Sequence, residues 1–121
     1  MSTTNTYLAI FFGSKTSASA KAWAALSEAD RKAKELEGIA GWKAWAEKHQ
    51  KQIANMGGPL GVTKKISANG IEDINNDIGA FTVVSAASAE AAAKMFENHP
   101  SFTIFPGDRV EIMPILPIPG Q

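Results

Sequence analysis

Hydrophobic and polar positions change period several times along this chain, and each change marks an element. Tyr7 to Phe12 is apolar at every position. A half-exposed strand would alternate, so this run predicts a strand covered on both faces. The polar residues 1–5 ahead of it read as a loose end, and Gly13 to Ser17 as a loop. Ala18 to Leu26 predicts a short helix with Trp23 and Leu26 inward. Ser27 is placed to cap a new helix, with Glu28 and Asp30 in its first turn, where acids suit the helix dipole. A period near 3.6 then runs through Ala29, Ala33 and Leu36 and on through Ile39, Trp42, Ala46, Ile53 and Met56, with His49 on the same stripe. A single helix over 28–56 would be about 43 Å long at about 1.5 Å per residue. Gly38 and Gly41 mark the place for a kink or for close approach of another backbone. The pattern leaves one helix and two equally open.

Gly57-Gly58-Pro59 stops the helix. Leu60 to Ser67 reads as a strand, and its paired lysines, Lys64 and Lys65, suit a sheet edge. Asn69-Gly70 is a hairpin signal, because both residues accept positive φ. Residues 71–77 return as a polar segment, and Ala80 to Ser85 reads as a second central strand. Ser88 caps a helix over 89–97 with Ala92, Met95 and Phe96 inward. Asn98-His99-Pro100 closes that helix, and His99 there suits a cation at a helix C-terminus. Phe102 to Phe105 reads as extended, residues 106–108 as a turn and Arg109 to Met113 as the last strand, with Asp108 and Arg109 as a surface or inter-subunit pair. The proline-rich end keeps Ile115, Leu116 and Ile118 apolar, so it is expected to lie against something.

The order strand, helix, strand, strand, helix, strand predicts an α+β, ferredoxin-like protomer with an antiparallel sheet and the first and third strands central. Helices cover one face of such a sheet. Leu8, Ile10 and Phe12 make the other face apolar too, which predicts a second copy packed sheet against sheet in a symmetric homodimer.

Composition narrows the function. Twelve basic and twelve acidic side chains cancel, which argues against nucleic acid and anionic membrane as main partners. The chain has no cysteine, so disulfides, thiolate nucleophiles and cysteine metal sites are excluded. Its 121 residues fit one domain. No run suits a signal peptide or a membrane span, so a cytoplasmic protein is expected. Two histidines and scattered carboxylates carry no metal-ligand spacing, and no cofactor motif appears.

Several short landmarks resemble YCII-related proteins of the dimeric α+β barrel superfamily. They are Gly57-Gly58-Pro59-Leu60, Ile78-Gly79-Ala80-Phe81-Thr82-Val83-Val84, the helix start Ser88 to Ala93, His99-Pro100, and Val110-Glu111-Ile112-Met113-Pro114-Ile115. The resemblance spans nearly the whole chain and implies a ferredoxin-like protomer in a dimeric barrel. Some members of the family are similar to small-molecule enzymes, including ones that dehydrohalogenate ring substrates with a His–Asp pair. Those place the histidine just after the first strand. Here residues 13–35 contain no histidine, Asp30 is their single aspartate, and the Asp-Gly-Pro-Phe motif of a large subgroup is missing. The family's chemistry therefore does not transfer position by position.

The remaining candidates come from the helix stripe. His49 is the candidate proton-transfer group, with Asp73 or Asp77 as its orienting partner, and Trp42 and Trp45 are candidate walls for a ring. Against this stands a core histidine satisfied by one hydrogen bond. Two readings follow. One is a protein that binds a small, cyclic or aromatic molecule between sheet and long helix, with or without proton-transfer chemistry. The other is a non-catalytic dimeric module with no ligand.

Overall fold

The computed structural model describes residues 5–120. The expectation of a loose start therefore falls on residues outside that range, except for Asn5, which opens β1. The elements are β1 (Asn5–Phe12), α1 (Ala18–Ala25), α2 (Glu28–Lys48), β2 (Ile53–Pro59), β3 (Thr63–Ser67), β4 (Gly70–Ile74), β5 (Ile78–Ala86), α3 (Ala89–Lys94), α4 (Pro100–Thr103) and β6 (Arg109–Pro114). Four strands form one antiparallel sheet in the order β2-β5-β1-β6, and β3-β4 forms a separate hairpin. The two most apolar strands, β1 and β5, are the central pair, as the pattern predicts. Side chains alternate across each strand. Tyr7, Ala9, Phe11, Ala80 and Val84 therefore face the helices and are buried with Trp45, Ala92 and Phe96.

Serines begin three of the helices. The side chains of Ser17, Ser27 and Ser88 accept from the backbone N–H groups of Ala20, Asp30 and Ala91 at 3.0–3.1 Å, each satisfying a donor the helix itself cannot.

The long helix is single and unbroken across Gly38 and Gly41, but it ends at Lys48 rather than Met56. Residues 53–59 are the second strand of the sheet, so the expected strand over 60–67 is not part of that sheet. Ser85 N–H donates to Gln52 O at 2.6 Å, which hands the chain from helix to sheet. Ile53 and Met56 fit the helical period by coincidence, and pairing with β5 overrides it. The lysine-bearing segment becomes β3 of the hairpin, held by Lys64–Asp73 at 2.6 Å and Lys65–Glu72 at 3.0 Å.

The phase of α2 also differs from the apolar stripe. Ile39 is 59% exposed, while Gly38 and Trp45 are buried. The inward stripe is Gly38, Gly41, Trp42, Trp45. Its glycines mark where other elements come closest. A Cβ on Gly38 would meet the Phe105 ring at 2.4 Å, and one on Gly41 would meet Pro100 Cγ at 3.2 Å. Residues 100–103 are a helical turn, not extended chain, and it is this turn that presses on α2.

By register, Leu8 lies opposite Val83 and Met113, and Ile10 opposite Phe81 and Glu111, all on the face away from the helices. Arg109 does not pair with Asp108. It bonds Glu111 at 2.7 Å and stacks over the Phe12 ring at 4.3 Å, while Asp108 accepts from Ser14 N–H at 2.8 Å. The C-terminal apolar residues Ile115, Leu116 and Ile118 stay 48–74% exposed on the protomer.

Candidate functional site

The buried histidine of this fold is His99, not His49. His99 does not close a helix. It precedes Pro100 in extended conformation and caps the start of α4, accepting from Ser101 N–H through Nδ1 at 3.0 Å. Proline at the first helical position is pre-set for that role. Ser101 Oγ lies 3.0 Å from the same nitrogen. Because Nδ1 accepts, the ring proton belongs on Nε2. The ring is fully buried, with Trp42 and Trp45 at 4.6 and 4.7 Å in near-perpendicular arrangement and Phe11 and Phe96 at 5.1 and 5.7 Å. Nε2 has no oxygen or nitrogen partner among the described residues. Its environment is aromatic, where an N–H finds π-electron density. Burial pushes the His99 pKa down to about 4, with the positive charge of His49 adding to the effect. His99 is thus a neutral, rigid centrepiece of the core.

Open space lies beside this aromatic box, under α2, reaching from the end of β1 and the start of β5 across to β2. It has two lobes that share Trp42, Ala80 and Phe105 as lining. The first, about 340 Å³, carries the polar groups Lys15, Asn75, Asp77 and Ser101. The second, about 480 Å³, is almost wholly apolar, with Ile39, Met56 and the backbone of Gly57 and Gly58 completing it and Lys43 at its edge. Both volumes fall in the range of small-molecule sites. The cleft exists because Gly57, Gly58 and Ala80 contribute no bulk where β2 and β5 pass under the helix. Gly57 holds a positive φ of +66°, donates its N–H to Asn55 Oδ1 at 2.9 Å and sits in an irregularity of the β2–β5 pairing. Thr82 Oγ1 donates to Met56 O at 3.0 Å and ties the same irregular strand to β5.

Asp77 lines the first lobe with its backbone held in place and its carboxylate exposed, accepting from Asn75 Nδ2 at 3.2 Å. It adopts φ +61°, its carbonyl accepts from Gly13 N–H at 2.9 Å, and its N–H donates to Asn75 Oδ1 at 3.0 Å. A non-glycine residue in the left-handed region is uncommon and marks a position the surroundings over-determine.

The residues singled out from sequence separate. Trp42 lines both lobes. Trp45 is buried, and its indole N–H donates to Met95 O at 2.6 Å, so it serves the core. His49 caps the C-terminus of α2 beside Trp45, half-exposed, and lines neither lobe; burial first and Lys48 second lower its pKa. His49 and Asp77 are not brought together. Ile53, bonded to His49 O, pairs with Val84 at one end of β5, whereas Asp77 precedes the other end. At about 3.3 Å per residue they stand on the order of 20 Å apart. Asp73 is committed to Lys64 in the hairpin. Sequence reasoning missed Phe105, Lys15 and Lys43, which tertiary packing alone gathers around the cleft. Glycine on the inward stripe was the available signal for Phe105.

A sheet in the order β2-β5-β1-β6 with helices on one face defines a ferredoxin-like α+β protein, here with an open cleft beneath its long helix. No helix among the described residues is long and apolar enough to cross a membrane. No family model and no curated protein matches the chain. Among solved structures it is similar to 5-chloro-2-hydroxyhydroquinone dehydrochlorinase (TftG) from Burkholderia phenoliruptrix AC1100, in complex with 2,5-dihydroxybenzoquinone. The TM-score is 0.51 at 16% identity, over 88% of this chain and 89% of that one. At that identity the likeness is one of fold.

Proposed function

We propose that this protein binds a small planar ring compound in the cleft between α2 and the sheet. The observation that carries the reading is the pair of lobes around Trp42: an apolar space of ligand size, faced by an aromatic wall and ending in a polar lobe that holds Asp77 and Lys15. The quinone ligand of the structurally similar dehydrochlorinase agrees with a ring of this size. Within the reading, Trp42 stacks on the ring and Asp77 meets its polar substituents, with Lys15 beside it. Any proton transfer belongs to this lobe; His49 is the competing assignment, acting from the far end of the strand. The reading includes membership of the YCII-related dimeric α+β barrel proteins, supported by the short sequence landmarks, and a cytoplasmic homodimer, supported by the apolar outer sheet face of Leu8 and Ile10.

Thermal-shift measurements over a panel of planar ring compounds, including 2,5-dihydroxybenzoquinone, test the binding. At least one compound is expected to raise Tm, and Trp42→Ala is expected to abolish that rise while Trp23→Ala keeps it. Absence of any rise, or an undiminished rise in Trp42→Ala, would sink the reading. Where turnover is found, Asp77→Asn is expected to remove it and His49→Asn to preserve it. The reverse pattern returns the chemistry to His49.

Sedimentation tests the dimer. The wild-type chain is expected to sediment as a dimer, and Ile10→Lys, which puts a charge in the middle of the outer face, as a folded monomer. A monomeric wild type would refute the shared-sheet arrangement.

A further inference from the structure

The two lobes differ in what they offer a ligand: the first is lined by several polar groups, the second by apolar groups and one cation. Ile39, Trp42, Met56 and Phe105 supply its apolar walls, and Lys43 is the single charged residue that lines it. Thr82 also borders the lobe, but its hydroxyl proton is spent on Met56 O at 3.0 Å and the residue is 1% exposed. Lys43 makes no ion pair among the described residues. It lies one residue from Trp42 on α2, so the cation stands at the edge of the same space that the indole bounds.

Resting on the cleft reading above, we propose that the apolar lobe takes the ring of an aromatic monoanion, a carboxylate or phenolate, and that Lys43 receives its charge. Trp42 and Phe105 meet edge to face at 6.2 Å and together form one aromatic wall, against which a planar ring fills the apolar space on the side of Ile39 and Met56. An anion carried in with it needs a partner, because a charge drawn from water without one is strongly disfavoured. Lys43 supplies one such partner, and a second anionic group on the same ring system would find none in this lobe. The polar lobe carries Lys15 and Asp77 together, so it offers no net charge to an anion, and the orientation follows from the apolar lobe: ring and charge towards Lys43, neutral polar substituents towards Asp77 and Lys15.

Calorimetric titration with 2-naphthoate and with its neutral counterpart, 2-naphthamide, tests this on the full chain. The wild-type protein is expected to bind naphthoate roughly tenfold more tightly, the scale of a charge-assisted hydrogen bond reduced by solvent at an open edge. Lys43→Gln is expected to erase the preference, Lys43→Arg to keep it and Lys15→Gln to leave it in place. Equal affinity of the wild type for the two compounds would overturn the assignment to an anion while leaving the cleft as a ring site. Loss of the preference in Lys15→Gln and not in Lys43→Gln would overturn the choice of lobe. Binding of neither compound would count against this proposal, and a flat response across the whole ring panel would bring down the cleft reading as well.

Discussion

Acidification from about pH 6.5 to about pH 4 is expected to remove on the order of 3 kcal/mol of folding stability, through the single ring of His99. In the unfolded chain the imidazole titrates near 6.5; in the fold, burial among Phe11, Trp42, Trp45 and Phe96 lowers that value to about 4. Between those values the unfolded chain holds a proton that the folded chain refuses. Stability is therefore fully present above pH 6.5 and is lost as pH falls towards 4, about 2 kcal/mol of it by pH 5. His49 shifts in the same direction, but it is half-exposed and contributes less. Urea unfolding at pH 7 and pH 5 measures the difference. His99→Asn is the informative variant, because its side-chain oxygen still accepts from Ser101 N–H and keeps the cap of α4 while nothing titrates. The variant is expected to be less stable at pH 7 and nearly level between pH 7 and pH 5. A wild-type slope in His99→Asn would show that another group carries the acid sensitivity.

Gly57→Ala is expected to destabilise the protein by at least about 2 kcal/mol, whereas Gly58→Ala, one residue on, should leave it nearly unchanged. The contrast is geometric. At Gly57 the backbone is left-handed, and an added Cβ would stand 2.0 Å from Phe81 O, an atom of the neighbouring strand that cannot swing aside. At Gly58 nothing lies within 4 Å of the same position. The first substitution strains one residue's conformation and also pushes β2 off β5. Because both glycines line the apolar lobe, Gly57→Ala is expected to disturb ring binding together with stability. Gly58→Ala adds a methyl group to a cleft wall without touching the fold, so it separates the two effects. Denaturant midpoints of the two variants, measured side by side, decide the matter. Equal midpoints would show that β2 adapts, and that the glycine is not required by its neighbour.

Much of the architecture is legible in the order of residues. An uninterrupted apolar run makes β1 central, β-formers make 80–85 its central neighbour, and Ser27 and Ser88 announce their helices. Asn69-Gly70 closes a hairpin as expected, although on different strands of the topology. The errors have one origin. Periodicity measures which side chains are apolar, not which partner the backbone finds. Ile53 and Met56 extend the helical pattern, yet the edge of β5 offers hydrogen bonds to residues 53–59, and strand pairing wins over the last turns of a helix. His99 reads as the end of one helix because Asn98 and Pro100 are helix breakers. The same proline at a first helical position begins another, and only the docking of α4 on α2 selects between them.

The site divides along the same line. The sequence determined that an aromatic face runs along a long helix over an apolar sheet, that no cysteine chemistry is available, and that Trp42 belongs to that face. These follow from local spacing and composition, which any fold must respect. Tertiary structure alone decided that Trp45 is core, that His49 and Asp77 stand at opposite ends of a strand, that His99 is the sequestered imidazole, and that Lys15 and Lys43 flank one cleft. Those relations join residues far apart in the chain, where packing of whole elements sets distance and burial. No spacing along the sequence encodes them.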